Sequence, residues 1–293
     1  MRGTEAPDHR TVVLFGASGQ IGQALARTLA LATDCFKVIP IGWAEVLQGA
    51  CVDPKTFLRS VIGPGDSRKL DVVFANGVTD PRSSLADLML SNYEFPKKIV
   101  ESAMCIRGVR CLTLGTVFER FPEFLQTNSY SRSKAELASW LTQVASQSEF
   151  RHRVLHVRLH TVYGGPPKPF MFLGQMAGAL RSGTEFSMSS GEQLREYHHT
   201  DDIGGCLRNL LHDEWEFGPP ILEINSGEPV RLADLANAVF SAHGKTHQLK
   251  IGAIKTPQGE NLELIFPRSV PSVLPYYRNP ILGVVESLRG LRS

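Results

Sequence analysis

Apolar residues along this 293-residue chain fall into two alternating rhythms. Short apolar runs rich in β-branched residues stand at 12–15, 37–41, 70–75, 111–114, 154–159 and 221–224. Each has the length of a buried strand and is too short for a packed helix. Between them, apolar residues recur at spacings of three and four, the pattern of a helix that buries one face. This spacing predicts helices over 21–31, 54–62, 85–104, 129–145, 170–181 and 232–243. In the 129–145 segment Leu137, Trp140, Leu141 and Val144 make the apolar stripe, and Asn128 or Ser129 is placed to cap it. Strands alternating with helices predict an α/β fold on a parallel sheet.

Two stretches carry candidate chemistry. The first strand runs into Gly16-Ala-Ser18-Gly19-Gln20-Ile21-Gly22, three glycines at intervals of three, and then into an amphipathic helix. Such glycines allow a tight turn and let backbone N–H groups approach a pyrophosphate at a helix N-terminus, where the dipole favours negative charge. The second stretch is Tyr130-Ser-Arg-Ser-Lys134. Four residues apart on a helix, Tyr130 and Lys134 share one face. A neighbouring ammonium favours phenolate, so the expectation is a tyrosine that moves a proton near neutral pH. Alone, each signal is weak, and the bland reading of the second is a surface helix with a half-buried tyrosine. Together in one chain, with Gly115-Thr116 between them, they are specific.

With these stand Arg158-Leu-His-Thr161-Val-Tyr-Gly164, the Gly191–Asp202 stretch that contains Arg195, and Asn225-Ser-Gly227. On these motifs the sequence, from Val12 to about Gly227, resembles the extended short-chain dehydrogenase/reductase family, in the branch that modifies nucleotide sugars. The resemblance implies a Rossmann-type doubly wound parallel sheet over 11–164, with 200–226 returning to it. It also implies a smaller C-terminal substrate-binding lobe from 165–199 and 227–293. The implied cofactor contacts are Gly16, Ser18, Gly19, Gln20, Ile21, Gly22, Asp53, Asn76, Tyr130 and Lys134. By the same resemblance Tyr130 moves the hydroxyl proton, Lys134 tunes it and holds the nicotinamide ribose, and Thr116 steadies the substrate oxygen. Thr161 and Arg195 contact the substrate, Arg195 against the diphosphate, where a planar guanidinium grips phosphate oxygens in pairs. A homodimer through the 85–104 and 129–145 helices is expected on the same basis, against ordinary packing on the sheet.

Several positions stay open. Asp53 either reaches the adenine edge or caps the helix after it. Matching Val117-Phe118 to the family's usual Val-Tyr-Gly puts Leu114 at the hydroxyl position; matching Glu119-Arg120 puts Thr116 there, with Thr113 in reserve. Pro96 removes a helical N–H, which either frees the Asn92 carbonyl for a water relay to the lysine or is a tolerated kink. Arg195 has an ion pair with Glu192 or Glu196 as its structural alternative, and His198, His199, Asp201 and Asp202 read as structural. The strand at 37–41 runs into Gly42-Trp43 with neither a carboxylate for the ribose nor an arginine for an added phosphate. NAD or NADP is therefore expected, tilted toward NADP.

Composition narrows the classes. A net charge of +2 gives no reason to expect a nucleic-acid or membrane partner. Five scattered cysteines with no Cys-x-x-Cys suit a reducing compartment and no metal site. A polar start and no long apolar run predict a cytoplasmic protein. Among reactions on a nucleoside diphosphate sugar, dehydration lacks the Asp-Glu pair after the hydroxyl residue, and 3,5-epimerisation lacks a cysteine in the loop after the strand. That leaves reduction of a 4-keto sugar first, 4-epimerisation on tightly bound NAD second, and a non-catalytic binding protein third.

Overall fold

The computed structural model describes residues 10–32, 35–42, 45–46, 53–62, 70–80, 82–215, 220–256, 266, 268 and 277–290. The expected lead-in before Arg10, Trp43, the 63–66 loop, Tyr276 and much of the proline-rich tail lie outside the described residues. The chain divides into two compact units, Met1–Leu159 with Gly204–Glu223, and His160–Ile203 with Ile224–Ser293.

The first unit is built on β1 (Arg10–Phe15), β2 (Phe36–Ile41), β3 (Leu70–Phe74), β4 (Val109–Thr116) and β5 (Val154–Leu159), with a short strand at Ile221–Glu223. All pair in parallel, in the order Ile221–Glu223, β5, β4, β3, β1, β2. The order turns back at β1, so β1 and β3 are neighbours although β2 separates them in sequence. A crevice at such a switch point, outside the carboxyl ends of the strands, is where open α/β sheets bind ligands. β3 and β4 are buried along their whole length. That explains their unbroken apolar runs, because helices cover both faces of a parallel sheet. Phe15 stacks on Phe74 at 5.3 Å and meets Phe95 edge-on at 5.2 Å. Each fully buried ring of this kind contributes about 2–3 kcal/mol. β4 is longer than the 111–114 run suggested and carries Gly115 and Thr116 within its last turn of sheet.

The helix at Ser129–Ala145 starts on Asn128, whose side chain accepts from the Ser131 N–H at 3.0 Å. Leu137, Leu141 and Ala145 are buried in the main core, with Trp140 and Val144 packed against its edge. The segment predicted as one helix over 85–104 is interrupted. Leu85–Met89 and Phe95–Met104 are α-helical, and Leu90–Glu94 between them is a π turn.

In the second unit Thr161–Tyr163 pairs in parallel with Tyr197–His199, and Leu194–Arg195 pairs antiparallel with Val230–Arg231. Helices Phe172–Ser182, Leu232–Ala242 and Pro280–Arg289 close a core in which Phe186 stacks on Phe240 at 5.6 Å. The last helix falls in the tail past Lys250, where the sequence pattern predicts no element. Asn279 caps it, accepting from the Leu282 N–H, and Pro280 opens it without a wasted donor.

Candidate active site

Gly16 takes a left-handed φ of +79°, and a Cβ there would collide with the backbone of Asn76 at the end of β3. A Cβ on Gly22 would run into the Gly16 carbonyl. Both glycines are therefore required by the turn itself. The turn delivers the Gln20–Ala30 helix with Gly19 at its N-cap, no side-chain cap and no acid in its first turn. Ser18 is exposed in the turn, its carbonyl accepting from Gln23 Nε2 at 2.7 Å, and Gln20 and Ile21 open the helix. A helix start left this way suits an anion.

Across the switch point stands Asn76. Its Nδ2 donates to the Ser91 carbonyl at 3.1 Å, and its Oδ1 is buried without a partner. The Asn92 side chain donates to Val78 O and Ser133 Oγ and leaves its own Oδ1 buried and unpartnered. Asn92 Oδ1 and Lys134 Nζ lie 2.7 and 3.1 Å from where a Cβ on Gly77 would sit. Orphaned acceptors and a cradle that admits no side chain fit a bound dinucleotide.

The π turn changes the account of Pro96. In this geometry the Phe95 N–H reaches Leu90 O, so the next bond in the series would run from residue 96 to Ser91 O. Proline has no hydrogen to give, and the Asn76 amide takes the Ser91 carbonyl instead. The carbonyl freed by Pro96 is thus that of Ser91, where the sequence expectation named Asn92.

Lys134 is buried, and its ammonium donates to Leu114 O at 2.9 Å. Burial lowers its pKa from the ordinary 10.5 to about 8, with the Glu119 carboxylate opposing. Tyr130 is partly buried, and desolvation together with the Glu119 charge pushes its phenol above the ordinary range.

Thr116 is buried at the end of β4 and opens the 3-10 turn Val117–Arg120. Its Oγ1 accepts a long bond from the Phe118 N–H at 3.4 Å, which leaves the hydroxyl a hydrogen to donate. The reserve candidate, Thr113, is committed elsewhere, at 2.7 Å from His156 Nδ1. Asp53 caps the helix that follows it, accepting from the Thr56 N–H at 3.1 Å, and these bonds hold its pKa low. The expectation that β2 ends without a carboxylate is also corrected. Glu45 folds back so that Oε2 accepts from the Gly42 N–H at 2.7 Å, just past the strand. A residue four beyond the strand was too far along the chain for the sequence pattern to connect.

In the second unit Thr161 opens the Thr161–Tyr163 strand opposite Tyr197. Arg195 is buried, with Nη1 donating to its neighbour's carbonyl, Leu194 O, at 2.8 Å. Glu196 is taken up by Ser226 Oγ, the Ser226 and Gly227 N–H groups, and His198 at 3.0 Å. Burial pushes its carboxyl up, but these bonds and His160 outweigh that and bring it down to about 2. His198 is therefore a buried structural partner. Asp202 binds Arg278 through both the backbone N–H and the guanidinium.

Turn, switch point and the Tyr130–Lys134 helix together define a dinucleotide-binding α/β protein of the short-chain dehydrogenase/reductase type. More narrowly, the chain belongs to the NAD dependent epimerase/dehydratase family, whose sequence model matches residues 12–216. No curated protein matches it in sequence. Among solved structures it is similar to MoeE5 in complex with UDP-glucose and NAD, at 18% identity and a TM-score of 0.74, covering 97% of this chain and 100% of that one. It is similar also to UDP-N-acetylglucosamine 4-epimerase from Methanobrevibacter ruminantium M1 in complex with UDP-N-acetylmuramic acid, at 14% identity and a TM-score of 0.73, covering 96% and 97%. A third is dTDP-glucose 4,6-dehydratase from Bacillus anthracis str. Ames in complex with NAD, at 13% and 0.70, covering 96% of each chain. At these identities the likeness is one of fold.

Proposed function

We propose that this protein is an NAD-dependent oxidoreductase of nucleoside diphosphate sugars that reduces a 4-keto group, with Tyr130 as the proton donor. The observation that carries the reading is the placement of Tyr130 and Lys134 four apart on the Ser129–Ala145 helix, with Lys134 Nζ 2.9 Å from Leu114 O in the strand that ends at Thr116. Ketone reduction consumes a proton at oxygen, which a tyrosine phenol can donate. The Gly16–Gly22 turn and Asn76 would hold the dinucleotide, and its nicotinamide, when bound, would supply the hydride for the carbonyl carbon. Tyr130 gives its proton to the carbonyl oxygen as the alcohol forms, and recovers one from solvent. Lys134 is assigned to the ribose and Thr116 to the substrate oxygen. Thr161 and Arg195 are assigned to the sugar nucleotide, Arg195 to its diphosphate.

Glu45 reverses the leaning toward NADP. A carboxylate at the end of β2 accepts from ribose hydroxyls and repels an added phosphate. It also favours the second reading, a 4-epimerase that keeps NAD bound while the sugar is oxidised and re-reduced. Solved neighbours that carry that name, one of them the UDP-glucuronic acid 4-epimerase from Bacillus cereus with NAD bound, support this alternative.

Tyr130→Phe tests the assignment with either reaction. The variant is expected to bind NADH as the parent does and to lose hydride transfer by about 100-fold or more. Undiminished turnover would overturn the role of Tyr130. A parent protein that binds a nucleotide sugar but turns nothing over points to the non-catalytic reading.

A further inference from the structure

Ser91 is the second residue of the Leu90–Glu94 π turn, and it is buried. Two features leave its backbone carbonyl open. In an α-helix the Phe95 N–H would take Ser91 O, but in the π turn it goes to Leu90 O. Residue 96 would come next, and it is proline. A buried carbonyl then needs a donor from elsewhere. It finds one in Asn76 Nδ2 at 3.1 Å. A carbonyl only accepts, so this bond fixes which way the Asn76 amide faces.

Ser91 makes a second bond to the same segment. Its Oγ accepts from the Val78 N–H at 3.2 Å. One residue therefore grips the chain on both sides of the exposed Gly77. Asn92, the next residue of the π turn, takes the other end of Val78. Its Nδ2 donates to Val78 O at 2.9 Å and to Ser133 Oγ at 3.0 Å. Ser133 in turn donates to Tyr130 O at 2.8 Å. On its other side the segment bears on the glycine turn, because the Asn76 backbone fills the space that a Cβ on Gly16 would need. Asn76–Val78 lies past the end of β3 and belongs to no strand, so side chains must hold it.

We propose that Ser91, presented by the π turn, is a positioning residue for the dinucleotide: it holds Asn76–Val78 in its binding shape before the nucleotide arrives. The inference rests on the dinucleotide reading of the switch point and is independent of the reaction that follows. A segment fixed in advance loses little conformational freedom on binding, so part of the affinity comes from the fixing. π turns recur at functional sites. Here the wider turn points Ser91 and Asn92, neighbours in sequence, at the N–H and the carbonyl of one residue.

The test is binding of NADH, by fluorescence titration, to the parent, Ser91→Ala and Ser91→Thr, with urea unfolding of each. Ser91→Ala leaves the Val78 N–H without its acceptor and is expected to bind NADH about tenfold more weakly. Ser91→Thr keeps the hydroxyl and should recover most of that loss. A purely structural serine would lower the unfolding midpoint of Ser91→Ala and leave the affinity of the folded protein unchanged, which overturns the proposal. Hydrogen exchange in the nucleotide-free parent decides the matter if Ser91→Ala does not fold. The Val78 N–H is expected to be protected before any nucleotide is added. If it exchanges freely and slows only with NADH, the nucleotide orders the segment and the proposal falls. A parent that binds NADH but reduces no sugar, with affinity lost in Ser91→Ala, supports the role of Ser91 and sinks the reaction proposed above. Sugar reduction by the parent, with unchanged NADH affinity in Ser91→Ala, does the opposite.

Discussion

Lys134 has a pKa lowered to about 8 by burial, against 10.5 in water. Below about pH 8 the folded chain carries this buried charge at a cost of roughly 3 kcal/mol at most. Between that pH and 10.5 the unfolded chain holds a proton that the folded chain has released, so stability rises with pH. Tyr130 closes the window near pH 10, because its raised pKa keeps the folded phenol protonated while the unfolded one ionises. Lys134→Met is therefore expected to melt higher than the parent at neutral pH, less the bond to Leu114 O, and to lose that margin between about pH 8 and about pH 10. Thermal melts across pH check this. A margin that is constant with pH would show that the ammonium is not strained by its site.

Elements show where sequence pattern suffices and where it stops. The five long strands, the glycine turn and the Tyr130–Lys134 helix were legible because each has a local cause: an apolar run, a spacing of three or four, or a residue only a turn tolerates. The π turn at Leu90–Glu94 was not legible, since a one-residue change in bonding period leaves no mark on an amphipathic stripe. Nor was the buried cluster that Glu119 forms with His156 and Arg158, because its partners come from β4, β5 and the Ile221–Glu223 strand. One signal was available. His156 and Arg158 alternate on one face of an otherwise apolar buried strand, which calls for a buried partner. The helix Pro280–Arg289 was hidden by its proline-rich approach, although Asn279-Pro280 is a helix start.

The π turn carries its own test. Asn76→Leu leaves the Ser91 carbonyl without its donor and is expected to cost about 1–3 kcal/mol. In a Pro96→Ala background the restored backbone N–H can serve that carbonyl, so the same change should cost less. A double-mutant cycle by urea unfolding measures the difference. Strictly additive costs would mean that Pro96 and Asn76 do not share Ser91 O.

At the scale of the molecule, the first unit brings a glycine turn, orphaned acceptors and a Tyr130–Lys134 helix to the carboxyl ends of one parallel sheet. Among the described residues no helix is long and apolar enough to cross a membrane. Family membership and sheet order both make a dinucleotide the centre of the account. The most direct measurement is titration of the nucleotide-free protein with NADH and with NADPH, followed by fluorescence. The account predicts saturable binding of NADH, about tenfold or more tighter than NADPH if the Glu45 carboxylate, held at Gly42 just past β2, repels the added phosphate as proposed, with the gap narrowed in Glu45→Ala. A protein that takes up neither nucleotide would contradict the central claim, and a preference for NADPH would contradict the role given to Glu45.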